Sequence, residues 1–418
     1  MPELITGTNT SISISDDIHR IVATTATVSG GITFSGSTSP GQLSVAGTVS
    51  SASGSSSDGL FLNGNDLITV TQTGSVYATD DGIVSTGAGN RVNVAGYVFG
   101  GDNGLFNFAA DYEATITQTG VVQGGSNRQG TDTSIPFAAA VAMSQSGLAT
   151  VHNHGTILAD TNPTTGGTIA VLNATSSGIS DNALGFNPTF ESSLHFYNTG
   201  IVEGDILFAA GEDLYDGRGG GFVNGEIAMG SDDDIFRGGA LAETAIGGGG
   251  EDLMIGGAGD DDLSGGGGND DLRGGQGDDT LRGDNGNDSM RGNKGNDDIR
   301  GGSGNDNMRG GHGDDNMVGG GGSDVIFGDR GDDAMSGGTG GDTFVFRSGF
   351  GHDVISDFSD NNNEKINLRD VAAITGFGDL VNNHLTQDNG DAVITVGDNS
   401  IRLTGFAASA LDAGDFLF

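Results

Sequence analysis

The chain has 418 residues, 80 of them Gly and none Cys, and 56 acidic residues against 16 Lys and Arg give a formal charge of −40. Such a surface excludes nucleic acid and anionic membranes as partners, because both call for basic patches, and it favours cations. Without Cys there are neither disulfides nor thiolate metal sites. The N-terminal MPELITGTNTSISISDDIHR has no basic n-region and no apolar core, so it does not read as a secretory signal peptide. No apolar run approaches the ~20 residues that span a bilayer, so membrane insertion is not expected.

Residues 1–204 are rich in Thr, Ser, Val, Ile, Gly and Asn and show no helical period. A loose unit recurs there: a short alternating strand, a Gly, then one or two β-branched residues, as in LITVTQTGSVYA and RVNVAGYVFG. The unit Gly residues at 74, 96 and 120 lie about one β-helix coil apart, and the longer steps to Gly155 and Gly200 imply loops between coils. A β-sandwich is the rival; recurrence of the unit itself favours a parallel β-helix-like solenoid. Residues 205–246 form a transition, in which GEDLY and SDDDIF look like degenerate copies of the nonapeptide that starts at Gly247.

From Gly247 to Val345 one nine-residue unit repeats eleven times without a gap. Positions 1 and 4 are always Gly, position 6 is always Asp, and position 8 is always large and apolar. A strict period of this kind implies a stacked solenoid. Positions 7 to 9 are expected to form a short strand with position 8, Met254 through Phe344, pointing inward. The glycines at positions 1 and 4 are expected to supply positive φ and close backbone approach. The position-6 carboxylates, Asp252, Asp261, Asp270, Asp279, Asp288, Asp297, Asp306, Asp315, Asp324, Asp333 and Asp342, offer hard oxygen ligands suited to Ca²⁺. Magnesium prefers near-octahedral geometry and keeps its waters, and zinc finds no Cys and only His312 in the array.

Thirty-four of these 99 residues are Gly, and 21 are acidic against 7 basic. Chain entropy and carboxylate repulsion therefore oppose folding, and one apolar residue in nine makes a thin core. Metal binding has to supply the missing free energy, which makes folding and binding one event. After the array, residues 346–418 read as a small β-rich cap, with a hairpin in DAVITVGDNSIRLTGF turned at Gly397–Asn399 and an apolar DFLF terminus.

The array resembles the RTX (repeats-in-toxin) family of secreted calcium-binding proteins, whose consensus is G-G-x-G-x-D-x-U-x with U large and apolar. Asp284, Asn293 and Asp329 depart from it at the second Gly, and all three tolerate turns. The resemblance implies a right-handed parallel β-roll with two repeats per coil. It also implies calcium between position-6 Asp of repeats n and n+2, from Asp252/Asp270 to Asp324/Asp342, giving up to nine sites with the end sites weakest. GHDVISDF, EKINL and the final DFLF are similar to the family's capping segment and its uncleaved signal for type I secretion from Gram-negative bacteria. The expected product is a secreted, extracellular or cell-surface, all-β protein whose array folds on Ca²⁺ outside the cell.

Function beyond delivery is then expected in residues 1–204. Pore-forming relatives need acylated lysines before the repeats, whereas Lys294 and Lys365 are the only lysines here. HExxH and GxSxG are absent, which argues against the protease and lipase classes. A polysaccharide lyase or epimerase remains the alternative; its raw material would be Arg20, Arg91, Arg128, His152, His154, Asp80, Asp81 and Asp102, none forming a recognisable constellation. The leading reading is a non-catalytic structural, matrix, surface-layer or adhesive protein, with glycans or other copies of itself as partners of the N-terminal solenoid.

Overall fold

The structure is a computed structural model. It describes residues 210–359 and 363–418 without a break. Before these it describes 3–9, 12–14, 20–23, 26–34, 41–51, 58–62, 66–78, 81–86, 88–100, 104–107, 112–124, 141–143, 147–159, 169–173 and 192–208. Two compact units emerge, Met1–Ile235 and Phe236–Phe418, and almost every strand pairing is parallel.

In the first unit each coil gives one strand to each of three parallel sheets. Gln42–Val45, Leu67–Val70, Arg91–Val94, Tyr112–Ile116, Gly147–Asn153 and Ser192–Asn198 stack in one. Thr48–Ser50, Ser75–Tyr77, Tyr97–Phe99, Val121–Gln123, Thr156–Leu158 and Ile201–Glu203 stack in the next. Alternation places one apolar column per sheet inside, such as Val49, Val76, Val98, Val122, Ile157 and Val202, all fully buried. This is the β-helix-like solenoid, not the sandwich.

The recurring Gly has a steric cause. A Cβ on Gly96 would strike the carbonyl oxygens of Gly74 and Thr71, and one on Gly155 those of Gly120 and Thr117. Each Gly thus lets one coil settle on the coil beneath. The loops inferred between Gly120 and Gly200 fall mostly outside the described residues. Where apolar residues give way in the interior, Asn153 and Asn198 stack instead, joined by Nδ2–H···Oδ1 at 2.9 Å. Each also accepts from the Gly amide two residues on, which satisfies a buried polar pair.

The second unit is a two-sheet roll. Repeats alternate between sheets, so the coil is 18 residues and position 8 of repeat n pairs with position 8 of repeat n+2, as in Met254↔Leu272↔Met290↔Met308↔Ile326. Every position-8 side chain from Met254 to Phe344 is at most 2% exposed. The strands are longer than positions 7 to 9: each is six residues long and runs through the first three positions of the next repeat, as in Leu253–Ala258 and Asp262–Gly267. The ladder skips only position 1.

His352–Ile355 and Lys365–Asp370 continue the two sheets past the last repeat. Asp391–Val396 and Asn399–Leu403 form the expected hairpin, with the turn at Gly397 and Asp398 because Val396 already faces Asn399. The terminal Phe416–Leu417 lies parallel to Lys365–Asp370 and buries Phe416. Among the described residues no helix is long and apolar enough to cross a membrane.

Candidate metal centre

The position-6 aspartates occupy one buried row along each edge of the roll. Each is at most 2% exposed, from Asp252 to Asp342. The backbone N–H of each donates to Oδ1 of the Asp one coil ahead: Asp252 to Asp270, Asp261 to Asp279, and so on to Asp324 and Asp342, all at 2.8–2.9 Å. The structure thus brings together all nine pairs that the resemblance implies. One carboxylate oxygen is committed to the coil beneath. From Asp261 to Asp342 the other, Oδ2, is buried with no hydrogen-bond partner, an expensive arrangement for an anion.

What Oδ2 faces explains position 1. Neither Gly283 nor its equivalents have positive φ; the left-handed residues are at positions 2 and 4, for example Gly266 (φ 102°) and Gly268 (φ 138°). The expectation of positive φ at position 1 is therefore corrected. Gly is required there because a Cβ on Gly283 would collide with Asp288 Oδ2 while sitting 2.6 Å from the Gly301 carbonyl oxygen. Gly247, Gly301 and Gly319 repeat the pattern with Asp252, Asp306 and Asp324. At position 2, Asp284, Asn293 and Asp329 take φ of 69–80°, the left-handed region that Asp and Asn tolerate best.

The surroundings hold these carboxyls well above their ordinary range. Burial is the first cause at every one that shifts, opposed by the accepted backbone N–H. Asp288 and Asp297 rise to about 6, Asp279 to about 7 and Asp315 to about 8, with neighbouring Asp333 and Asp297 adding to Asp315.

The donor set fits a hard cation. An orphaned carboxylate oxygen and a glycine carbonyl oxygen, both hard donors, meet where a Cβ would be. Among the described residues no three His, Asp or Glu side chains converge, so backbone carbonyls have to complete any coordination shell. His312 is exposed on the roll surface, away from the buried row.

The row runs beyond the regular repeats. Asp353 accepts from Asp333 N–H at 2.9 Å, is 1% exposed, and leaves Oδ2 without a partner. Glu364 takes the position-6 place in the next coil of the other sheet, since Lys365 N–H donates to the Asp342 carbonyl as Thr343 N–H does to Asp324. Its Oε1 is buried and unpartnered, and burial, with Asp357 and Asp342 nearby, lifts it to about 7. At the other end Glu243 N–H donates to Asp261 Oδ1. In the first unit, GEDLY supplies Asp213, which accepts from Leu194 N–H, is 2% exposed, and has an unpartnered Oδ2.

Sequence reasoning overlooked position 5. Asp260, Asn269, Asp278, Asn287, Asn296, Asn305 and Asp314 each accept from the backbone N–H one coil further on, at 2.7–2.9 Å. This second row runs opposite to the position-6 row. Its signal, Asp or Asn at most position-5 places, was available in the repeat.

Among the described residues, the N-terminal candidates Arg20, Arg91, His152, His154 and Asp81 do not assemble into a site. Arg20 pairs with Glu3 and Arg91 with Glu113. The His152 ring stacks on Tyr197 at 4.9 Å, and His154 Nδ1 meets Thr199 Oγ1 at 2.6 Å. Asp81 is buried beside a turn, and Asp80, Asp102 and Arg128 lie outside the described residues.

Comparison with known proteins agrees with the second unit. The family described as RTX calcium-binding nonapeptide repeat (4 copies) matches residues 237–272, 273–308 and 309–344. No curated protein matches the chain. Among solved structures, the extracellular lipase LipA from Serratia marcescens is similar at 16% identity over 44% of this chain and 40% of its own, with a TM-score of 0.20, too slight a likeness to bear on fold or activity. Residues 237–344 are an array of RTX calcium-binding nonapeptide repeats.

Proposed function

We propose that this is a secreted calcium-binding protein whose position-6 aspartates, Asp252 to Asp342, hold Ca²⁺ through Oδ2 together with backbone carbonyls. The observation that carries the reading is the row of buried, unpartnered Oδ2 atoms from Asp261 to Asp342. A bound cation supplies the positive charge these carboxylates lack. The aspartates meanwhile fix the coil spacing through Oδ1, and position-1 Gly keeps the cradle open. On this reading residues 247–345 stay unfolded at low cytosolic calcium, leave by type I secretion with residues 346–418 as cap and signal, and fold outside.

Residues 1–204 then act as a non-catalytic structural or adhesive part, with 205–246 leading into the roll. The three-sheet coils support this by offering long Thr/Ser/Asn-rich faces on which the candidate polar residues are spread singly. Circular dichroism during a calcium titration tests the metal role. Cooperative β-structure should appear only with Ca²⁺ and weaken in Asp270→Ala and Asp288→Ala. A fully folded array in EDTA would overturn the coupling. Calcium-dependent filaments or lattices seen by electron microscopy would support the structural role, whereas turnover of a polysaccharide would displace it in favour of an enzyme.

A further inference from the structure

Basic residues are scarce in this chain, yet four arginines line one groove of about 550 Å³ on the second unit: Arg291, Arg309, Arg330 and Arg347, with His312 and a single acid, Asp329. The register builds it. Arg273, Arg291 and Arg309 are position-9 residues on successive strands of one sheet. Lys294, His312 and Arg330 are position-3 residues on the strands of Arg291, Arg309 and Phe327. Two rows of cations therefore run side by side along the stack, one rung every ~4.8 Å.

The fold does not call for this arrangement. Like charges directly opposite on neighbouring strands oppose pairing, and carboxylates abound on this surface. Elsewhere on the roll they are used: Arg273 pairs with Asp271, Arg282 with Asp262 and Arg300 with Asp298. In the groove, Arg309 and Arg347 share Asp329 and flank the Phe327 ring, at 6.0 and 4.8 Å from its centroid. Among the described residues neither Arg291 nor Arg330 has an ion-pair partner. Both guanidinium forks face solvent with their donors free.

We propose that this groove binds a linear acidic glycan, whose carboxylate or sulfate groups meet the forks of Arg291 and Arg330. Planar guanidinium pairs bidentately with such groups, and a row of forks along the stack suits a chain that carries charge at intervals. The volume lies within the ~300–1,000 Å³ of small-ligand sites. A second copy would instead need ~800 Å² of matching surface per partner, far more than this groove offers. The net charge of −40 does not forbid an anion here, because exposed charges more than ~8 Å away are largely screened at physiological ionic strength.

The test uses the full chain saturated with calcium, a labelled short oligouronate and a neutral oligoglucan of equal length, read by fluorescence anisotropy. The oligouronate should bind and the oligoglucan should not. Arg291→Gln with Arg330→Gln should weaken oligouronate binding by about tenfold or more, while Arg282→Gln with Arg300→Gln, an equal charge change on the other sheet, alters it less than about twofold. Circular dichroism and calcium stoichiometry should be the same in both variants, which separates loss of the groove from loss of the roll. No binding by the unmodified chain, equal binding of the neutral glycan, or equal losses in both variants would overturn the proposal. Sedimentation showing self-association that only the Arg291/Arg330 variant loses, without oligouronate binding, would assign the groove to a second copy and overturn it as well.

Discussion

Asp288→Asn should change stability in opposite directions with and without calcium. Asn keeps the shape of Asp288 and an oxygen to accept the 2.8 Å bond from Asp270 N–H, so the coil spacing survives. What it removes is the charge on Oδ2. Without metal that charge is a liability: burial first, then the Asp270 and Asp306 carboxylates, lifts Asp288 to about 6. Against an ordinary value near 3.9, at about 1.4 kcal/mol per tenfold, the ionised form costs roughly 1–2 kcal/mol once solvent screening is allowed for. In EDTA at pH 8 the variant should therefore show more residual β-structure than the parent chain. In saturating calcium the sign reverses: one bound ion should be lost, and the calcium midpoint should rise about tenfold, equivalent to about 1.4 kcal/mol. Asp288→Ala should fare worse than Asn in both conditions, because it also strands the buried Asp270 N–H at a cost of ~1–3 kcal/mol. Calorimetric calcium stoichiometry with circular dichroism in EDTA reads all three. Unchanged stoichiometry in Asp288→Asn would show that Oδ2 is not a ligand, and equal behaviour of Asn and Ala would remove any energetic meaning from the Oδ1 bond.

The same geometry sets three further outcomes. Gly283→Ala pushes a methyl into Asp288 Oδ2 and the Gly301 carbonyl, whereas Gly267→Ala, at position 3, meets nothing closer than 3.9 Å; thermal melts in calcium should show a loss of ~1–3 kcal/mol for the first and within ~0.5 kcal/mol of no change for the second. The raised carboxyls mean that the metal-free roll binds more protons than the unfolded chain, so its stability falls as pH rises from about 4 through the folded values of about 6 to 8. Calcium uptake coupled to folding should weaken as pH is lowered toward the ordinary carboxyl range, where protons compete for the same carboxylates; a calcium midpoint that does not rise between pH 7 and about pH 5, followed by circular dichroism, would contradict the carboxylates as ligands. Phe416→Ala removes a ring that is 4% exposed and 5.9 Å from Phe377, and should cost ~3 kcal/mol in the cap, seen as faster proteolysis of the C-terminal strand in otherwise calcium-loaded protein.

The array was readable because one side chain per nine has one job. Position 8 had to be core and position 6 had to be a ligand or an unpaired charge, and both follow from an invariant period. The cause of the position-1 Gly was not readable, since it is a contact with a carboxylate five residues on and a carbonyl eighteen residues on, not a backbone angle. Asp353 and Glu364 escaped notice because the chain takes 20 and 22 residues, not 18, to reach their places, and because Glu stands where Asp is expected. The arginine groove stayed hidden for a different reason. Arg291, Arg309 and Arg330 stand at positions 9 or 3 of separate repeats and Arg347 follows the last one, and only the 18-residue coil brings them side by side. In the first unit the recurring Gly was enough to fix the coil, although the chain between coils varies in length.

The two opposed rows of side-chain bonds, position 5 reaching one coil forward and position 6 one coil back, have a consequence for how this array can change over evolutionary time. Within the regular repeats every bond spans eighteen residues, so gain or loss of whole repeats leaves each position-5 and position-6 side chain a backbone N–H at the same spacing. Asp353 stays 20 residues beyond Asp333 and Glu364 22 beyond Asp342 whatever the number of repeats before them. An odd change only moves each later repeat to the opposite sheet relative to the earlier ones. Copy number can therefore drift while the bonding pattern is kept.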